Sequence, residues 1–533
     1  MRMLRLPRGF SLLLAGFGLV TCLGCGDSAP PLVVATTEGP VQGTLVEDVR
    51  TFLGIPYAAP PTGALRFLPP ADPLARTETL VASEYGPSCP GTRTPLDLVL
   101  RPLPAAEDCL SLNIWTPNAG GRRPVMLWIH GGGYVNGASN IPVYDGANLA
   151  HNGDVVVVSI NYRLAALGFL STEALQAERA DMDGGAGNMG ILDMQAALRW
   201  VQANIAGFGG DPDNVTIFGE SAGGSAVCSL LAAAGSEGLF HRGIIESGGC
   251  SASPLRGGSR GTFDVGDTLV ERLGCSGPGE LACMRALSTQ DILAAVMQDA
   301  SGLGFAPYGP AVDGAVFTDS PGALLAAGEG VDVPIVVGSN LNEMTVFLLG
   351  TTRPATPDAM RAQFMAATGD DVTRTDALMA LYEVNTDEDA PRAFVDFATD
   401  RSFSCSALAI ANAAAGAGRE VYLYEFQHVV GDQADTFGVG HGFEIPFVFG
   451  TLDRFSLFST MRGEREDRTA ARMQTAWSSF ARTGAPEFEG GWPRFTVAAH
   501  EYLAIDDPAT VDDAFRNDRC AALGTLGFSV GAL

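Results

Sequence analysis

Val215-Thr216-Ile217-Phe218-Gly219-Glu220-Ser221-Ala222-Gly223-Gly224 decides the reading of this chain. Val215–Phe218 is a short apolar run of the kind a buried strand requires. Behind the turn, Ala226-Val227-Cys228-Ser229-Leu230-Leu231-Ala232 predicts a helix. A Gly-x-Ser-x-Gly between strand and helix makes a sharp turn that lifts the serine hydroxyl clear of the sheet. The glycines stand where the turn leaves no room for side chains. The next backbone N–H, that of Ala222, points to where an oxyanion would form. The pattern alone is weak, since among 66 glycines chance supplies about one match. A second match does occur, Gly257-Gly258-Ser259-Arg260-Gly261, with no apolar strand before it and no helical pattern directly after. It is read as a surface loop, and Ser221 as the nucleophile.

Upstream, Val125-Met126-Leu127-Trp128-Ile129 is a continuous apolar run, as expected of a parallel strand buried on both faces. It opens into His130-Gly131-Gly132-Gly133-Tyr134, whose glycines let backbone N–H groups approach a substrate closely. Val155–Ile160 predicts the next core strand, and Val33–Leu45 a hairpin around Glu38-Gly39-Pro40. From Asp193 the spacing turns helical, with Met194, Ala197, Leu198, Val201 and Ile205 on one face. Later strands are expected at Gly243–Ile245, Ile335–Val337 and Val421–Phe426. Strands alternating with helical stretches imply an α/β fold, a mostly parallel sheet with helices on both faces.

A serine hydroxyl needs a base to take its proton. In α/β-hydrolases the partners follow in the order serine, acid, histidine. Of the six histidines, His130, His151 and His241 come too early or belong to other elements, and His500 falls in a late peripheral strand. His441 lies in a glycine-flanked loop, Gly438–Glu444, suited to placing an imidazole over the turn; His428, at a strand end, is its competitor. Glu343, in the loop after Ile335–Gly338, is the expected acid. Asp313 competes, although Asp313-Gly314 reads as a turn.

The first 25 residues are set apart from the fold. Arg2, Arg5 and Arg8 precede an apolar stretch, Phe10–Leu23, and Cys22-Leu23-Gly24-Cys25. That order reads as an export signal of lipoprotein type with Cys25 lipidated; ordinary cleavage and secretion is the alternative. Residues 26–533 contain no linker, charge block or repeat and are read as one large domain with loop insertions. The net charge of −27 excludes nucleic acid and anionic lipid as expected partners. All 33 basic residues are arginine, which excludes Schiff-base and Ser-Lys mechanisms. After Cys25, eight cysteines remain and none shows metal-ligand spacing, so no metal site is expected.

Taken together, Phe52–Tyr57, Glu107-Asp108-Cys109-Leu110, Asn161-Tyr162-Arg163, Gly187-Asn188 with Asp193, Gly219–Gly224 and His441–Glu444 resemble the type B carboxylesterases. That family includes the cholinesterases and bile-salt-activated lipases. The resemblance covers nearly all of residues 33–525. It implies an α/β-hydrolase fold, a Ser221–Glu343–His441 triad, and an oxyanion hole made by Gly132, Gly133 and Ala222. It implies disulfides Cys89–Cys109, Cys275–Cys283 and Cys405–Cys520, and buried ion pairs Arg66–Glu107 and Arg163–Asp193. Cys228 and Cys250 are then read as buried thiols, with a fourth bridge between them as the alternative. Glu220 and Glu444 are expected to serve as hydrogen-bonding supports. The stretch Cys89–Cys109 holds no aromatic residue to bind a quaternary ammonium, which speaks against cholinesterase activity.

The function expected is hydrolysis of small or medium carboxylic esters through an acyl-enzyme, with no cofactor. Two rivals stand beside it. A lipase would need an apolar lid, for which Leu96, Leu98, Val99, Leu100 and Leu103 offer surface. A non-catalytic adhesion-type member of the fold would keep the scaffold for binding alone. The expected location is the bacterial cell envelope or the medium.

Overall fold

The computed structural model describes residues 31–528 except 94–99, 101, 181–184, 257–260, 300–305, 432–437 and 456–457. The export signal, Cys25, Ser259 and three of the five lid residues, Leu96, Leu98 and Val99, lie outside the described residues. Eleven strands form the central sheet. In chain order they are β1 (Thr44–Val46), β2 (Val49–Pro56), β3 (Ser111–Pro117), β4 (Arg123–Ile129), β5 (Val156–Ile160) and β6 (Gly210–Glu220). There follow β7 (Arg242–Glu246), β8 (Ile335–Asn340), β9 (Val421–Phe426), β10 (Tyr502–Ile505) and β11 (Thr510–Asp512).

Their spatial order is β1-β2-β3-β5-β4-β6-β7-β8-β9-β10-β11. Pairing is parallel from β5 through β4 and β6 to β10. It is antiparallel at both margins.

Alternation along the buried strands divides the core in two. Val125, Leu127 and Ile129 of β4 face one layer, with Val156, Val158, Val215 and Ile217. Met126 and Trp128 face the other, with Val157, Phe218 and Tyr424. Helices α1 (Met189–Asn204) and α2 (Ala222–Ala232) cover the first layer. Helix α3 (Glu464–Thr483) covers the second with Met473, Trp477 and Phe480. Acidic residues occupy the first turn of α3 and Arg482 its last, as the helix dipole favours. The α/β-hydrolase architecture expected from the sequence is therefore present.

Two local expectations are corrected. The hairpin at the start ends at Gln42, turning at Thr37-Glu38, and Thr44–Val46 pairs instead with β2. Cys228 and Cys250 are not thiols; they are joined, their Cα atoms 5.4 Å apart, within disulfide reach. The pairs Cys89–Cys109, Cys275–Cys283 and Cys405–Cys520 are bonded as the resemblance implied. Arg163 grips buried Asp193 with two nitrogens at 2.7 and 2.8 Å, and Arg66 grips Glu107 at 2.6 Å on both oxygens.

Candidate active site

Strand β6 ends at Glu220 and α2 starts at Ala222, so Ser221 alone makes the turn. Its φ of 60° and ψ of −122° are sterically costly for a residue with a side chain. The surroundings enforce it. The Ser221 N–H donates to Glu246 O of β7 at 2.9 Å. A β-carbon on Gly223 would lie 2.0 Å from Ile129 O, so only glycine lets α2 start this close to β4.

The loop after β4 lies against the same turn. A β-carbon on Gly131 would be 3.0 Å from Ser221 Cβ. Gly132 and Gly133 take φ of 108° and 62°. His130 braces the loop: its ring stacks on Tyr162 at 4.4 Å, and the Tyr162 hydroxyl donates to His130 O at 2.9 Å. Burial pushes the imidazole of His130 down to about 4, so it stays neutral.

Glu343 follows β8 and is fully buried. Its Oε1 accepts from the Ser247 hydroxyl at 2.5 Å and from the Asn340 N–H at 2.6 Å. Its Oε2 lies 2.6 Å from His441 Nδ1. The His441 N–H reaches Glu343 O at 3.3 Å, and Phe347 and Phe403 flank the ring at 4.9 and 4.6 Å. Two further bonds pin the loop: Asn340 Nδ2 donates to Gly440 O, and the Asn342 N–H to Val439 O. The other ring nitrogen, Nε2, stands 3.0 Å from Glu220 Oε1. Among the described residues Ser221 Oγ makes no hydrogen bond with the ring; bonds of this kind tighten when substrate is present.

Four carboxyl groups, Glu220, Glu246, Glu343 and Glu444, are buried in this region. Burial pushes Glu220 and Glu444 well above the carboxylate range, and neighbouring glutamates add to the shift. Burial takes Glu246 to about 8, opposed by the hydrogen bond from Trp477 Nε1 at 2.8 Å.

The competitors go elsewhere. His428 Nδ1 is 2.8 Å from Asp506 Oδ1, and its Nε2 faces Glu466 at 3.6 Å. Asp313 Oδ1 accepts the N–H groups of Ala315, Val316 and Phe317, closing the expected turn. His500 sits with positive φ in the turn before β10, not in a strand, bonded to Asn517. Sequence reasoning passed over Ser247, Asn340, Phe347 and Phe403. The one signal for Ser247 was a hydroxyl directly after the strand beside that of Ser221.

A cavity of about 340 Å³ opens at Ser221. Gly133, Tyr134 and Ala222 line it with Ser225, Ser247, Ser251, Ser402 and Ser406, and Phe403 joins it to the histidine. Among the described residues no group of three or more His, Cys, Asp or Glu side chains could hold a metal ion.

Comparison with known proteins is in keeping with this geometry. A sequence model described as "Carboxylesterase family" matches residues 30–523. The chain is 33% identical to para-nitrobenzyl esterase of Bacillus subtilis over 490 residues, 90% of this chain and 96% of that protein. It is 37% identical to fumonisin B1 esterase of Sphingopyxis macrogoltabida over 482 residues, 87% of this chain and 85% of that one. A solved structure of PNB esterase superposes with a TM-score of 0.80 at 31% identity, covering 92% of this chain and 99% of its own.

Proposed function

The chain belongs to the carboxylesterase family and is a carboxylic ester hydrolase, and from that premise we propose that Ser221, His441 and Glu343 carry the reaction. The observation that carries the proposal is the strained Ser221 turn beside a histidine held by a buried glutamate at 2.6 Å. His441, with Nδ1–H held on Glu343, takes the Ser221 proton at Nε2. Ser221 Oγ attacks the ester carbonyl. The N–H groups of Gly132, Gly133 and Ala222 receive the oxyanion, each contributing roughly 3 kcal/mol to the transition state. His441 returns the proton to the departing alcohol, and water releases the acyl group by the same route.

The substrates proposed are small or medium esters. The cavity stands at the lower end of the ~300–1,000 Å³ range of ligand pockets, and its serine lining offers little to a long alkyl chain. Of the described lid residues, Leu103 is exposed and Leu100 packs partly into the core. Export is proposed from the four disulfides, which persist in oxidising compartments. Among the described residues no helix is long and apolar enough to cross a membrane.

The test is hydrolysis of p-nitrophenyl esters from acetate to palmitate, with a p-nitrobenzyl ester alongside. Ser221→Ala should lower kcat by about 10⁴-fold or more while the protein stays folded. Equal activity in the variant would mean that another nucleophile acts. A rate optimum at palmitate, rising sharply above the critical micelle concentration, would favour the lipase reading. A folded wild type inert on every ester would favour the binding-protein reading.

A further inference from the structure

Beside the central sheet lies a small three-stranded sheet, Val33–Thr36, Gly39–Gln42 and Leu80–Val81. Its register sorts the side chains into two rows. Val34, Val41 and Leu80 are matched across the strands, and this row turns inward onto the core. Val33, Gln42 and Val81 form the alternate row, which turns outward. A sheet face meeting water should be polar there, yet valines hold both ends. Alongside, the Gly43 N–H donates to Leu32 O at 2.9 Å, and β1 follows at the margin of the central sheet, where Leu45, paired with Arg50, turns to the side of the small sheet and Val46, paired with Val49, to the other. On the side of the small sheet Leu32, Val33, Leu45 and Val81 are between 37% and 64% exposed.

The position of this patch in the chain names what covers it. Leu32 is seven residues beyond Cys25. Seven residues span at most about 25 Å even when fully extended. We infer that this face rests on the lipid surface to which Cys25 is anchored, so that the enzyme is held with its small sheet against the bilayer. This placement rests on Cys25 being lipidated. Glu47, Asp48, Glu78 and Glu84 are exposed around the patch. Contact is therefore apolar rather than electrostatic, favours neutral headgroups, and changes little with salt.

The experiment uses the full chain recovered from membranes, with the mass of its N-terminal peptide reporting lipidation. The lipidated protein is compared on phosphatidylcholine vesicles and in detergent by hydrogen–deuterium exchange. Slower exchange confined to 32–46 and 79–83 on vesicles is expected. A second arm uses Cys25→Ser, which carries no lipid, in vesicle flotation with and without V33D/V81D. Weak binding that falls about tenfold on adding the two aspartates, with ester hydrolysis unchanged, is expected. Lipidated protein with no protection of these segments overturns the proposal while leaving the anchor intact. If Cys25 proves unlipidated the anchor reading fails, and flotation decides: patch-dependent binding sustains the lipid-facing surface, and no binding overturns it. A dimer that V33D/V81D dissociates would assign the face to a second copy and overturn the lipid.

Discussion

Ser221, His441 and Glu343, the proposed triad, could be picked out in the sequence because chemistry restricts the candidates: few residue types suit these tasks, and their order along an α/β-hydrolase chain is fixed. Their supports were not. Ser247 and Asn340 bond Glu343 through positions that no spacing rule connects, 96 and 3 residues away. Glu246 was equally hidden, a carboxyl at the end of an apolar strand. It has a measurable signature. Its pKa is raised from 4.5 to about 8, so the folded protein holds a proton that the unfolded chain has lost across that interval. Its contribution to stability is therefore fully present below pH 4.5 and is lost as pH rises through 8. Glu246→Gln retains an acceptor for Trp477 and removes the titration. We expect its melting temperature to fall less than that of wild type between pH 5 and 9, read by calorimetry at matched ionic strength. A parallel decline in the two proteins would show that Glu246 does not titrate there.

Among elements, strand and helix type followed from periodicity, and boundaries did not. Strand β6 was expected at Val215–Phe218 and runs over Gly210–Glu220. The added residues, among them two glycines, Pro212 and Asn214, carry no strand preference of their own. They are drawn in by β4, whose Arg123 pairs with Gly210 before the register shifts to Val125 with Val215. The start of α2 moved for a similar reason: the helix begins at Ala222, directly after the strained serine, because neighbouring backbone fixes the turn. The joint between β6 and α2 should therefore tolerate nothing larger than hydrogen at position 223. Gly223→Ala is expected to cost about 3 kcal/mol or more through overpacking, and to lower kcat with it. Thermal melting and ester hydrolysis on the same preparation would check this. An unchanged melting point would mean that α2 can withdraw from β4.

For the whole molecule, the alternating pattern was enough to give two helical layers around a largely parallel sheet. It could not give the Cys228–Cys250 bond, because two cysteines 22 residues apart have no signature until the strand between them is placed. The bond Cys405–Cys520 reaches furthest, across 115 residues. Replacing both cysteines by serine should lower stability by about 2–4 kcal/mol, read from denaturant midpoints under non-reducing conditions. A midpoint unchanged from wild type would show that packing of the last helix suffices. Cys405 stands two residues from Phe403, the side chain that flanks His441 and walls the cavity. A chain delivered N-terminus first thus presents Ser221, the proposed nucleophile, long before it can cross-link the wall behind His441, the proposed base. The enzyme is finished only when residue 520 has arrived where thiols are oxidised, and an incompletely delivered copy is left with that wall unfastened.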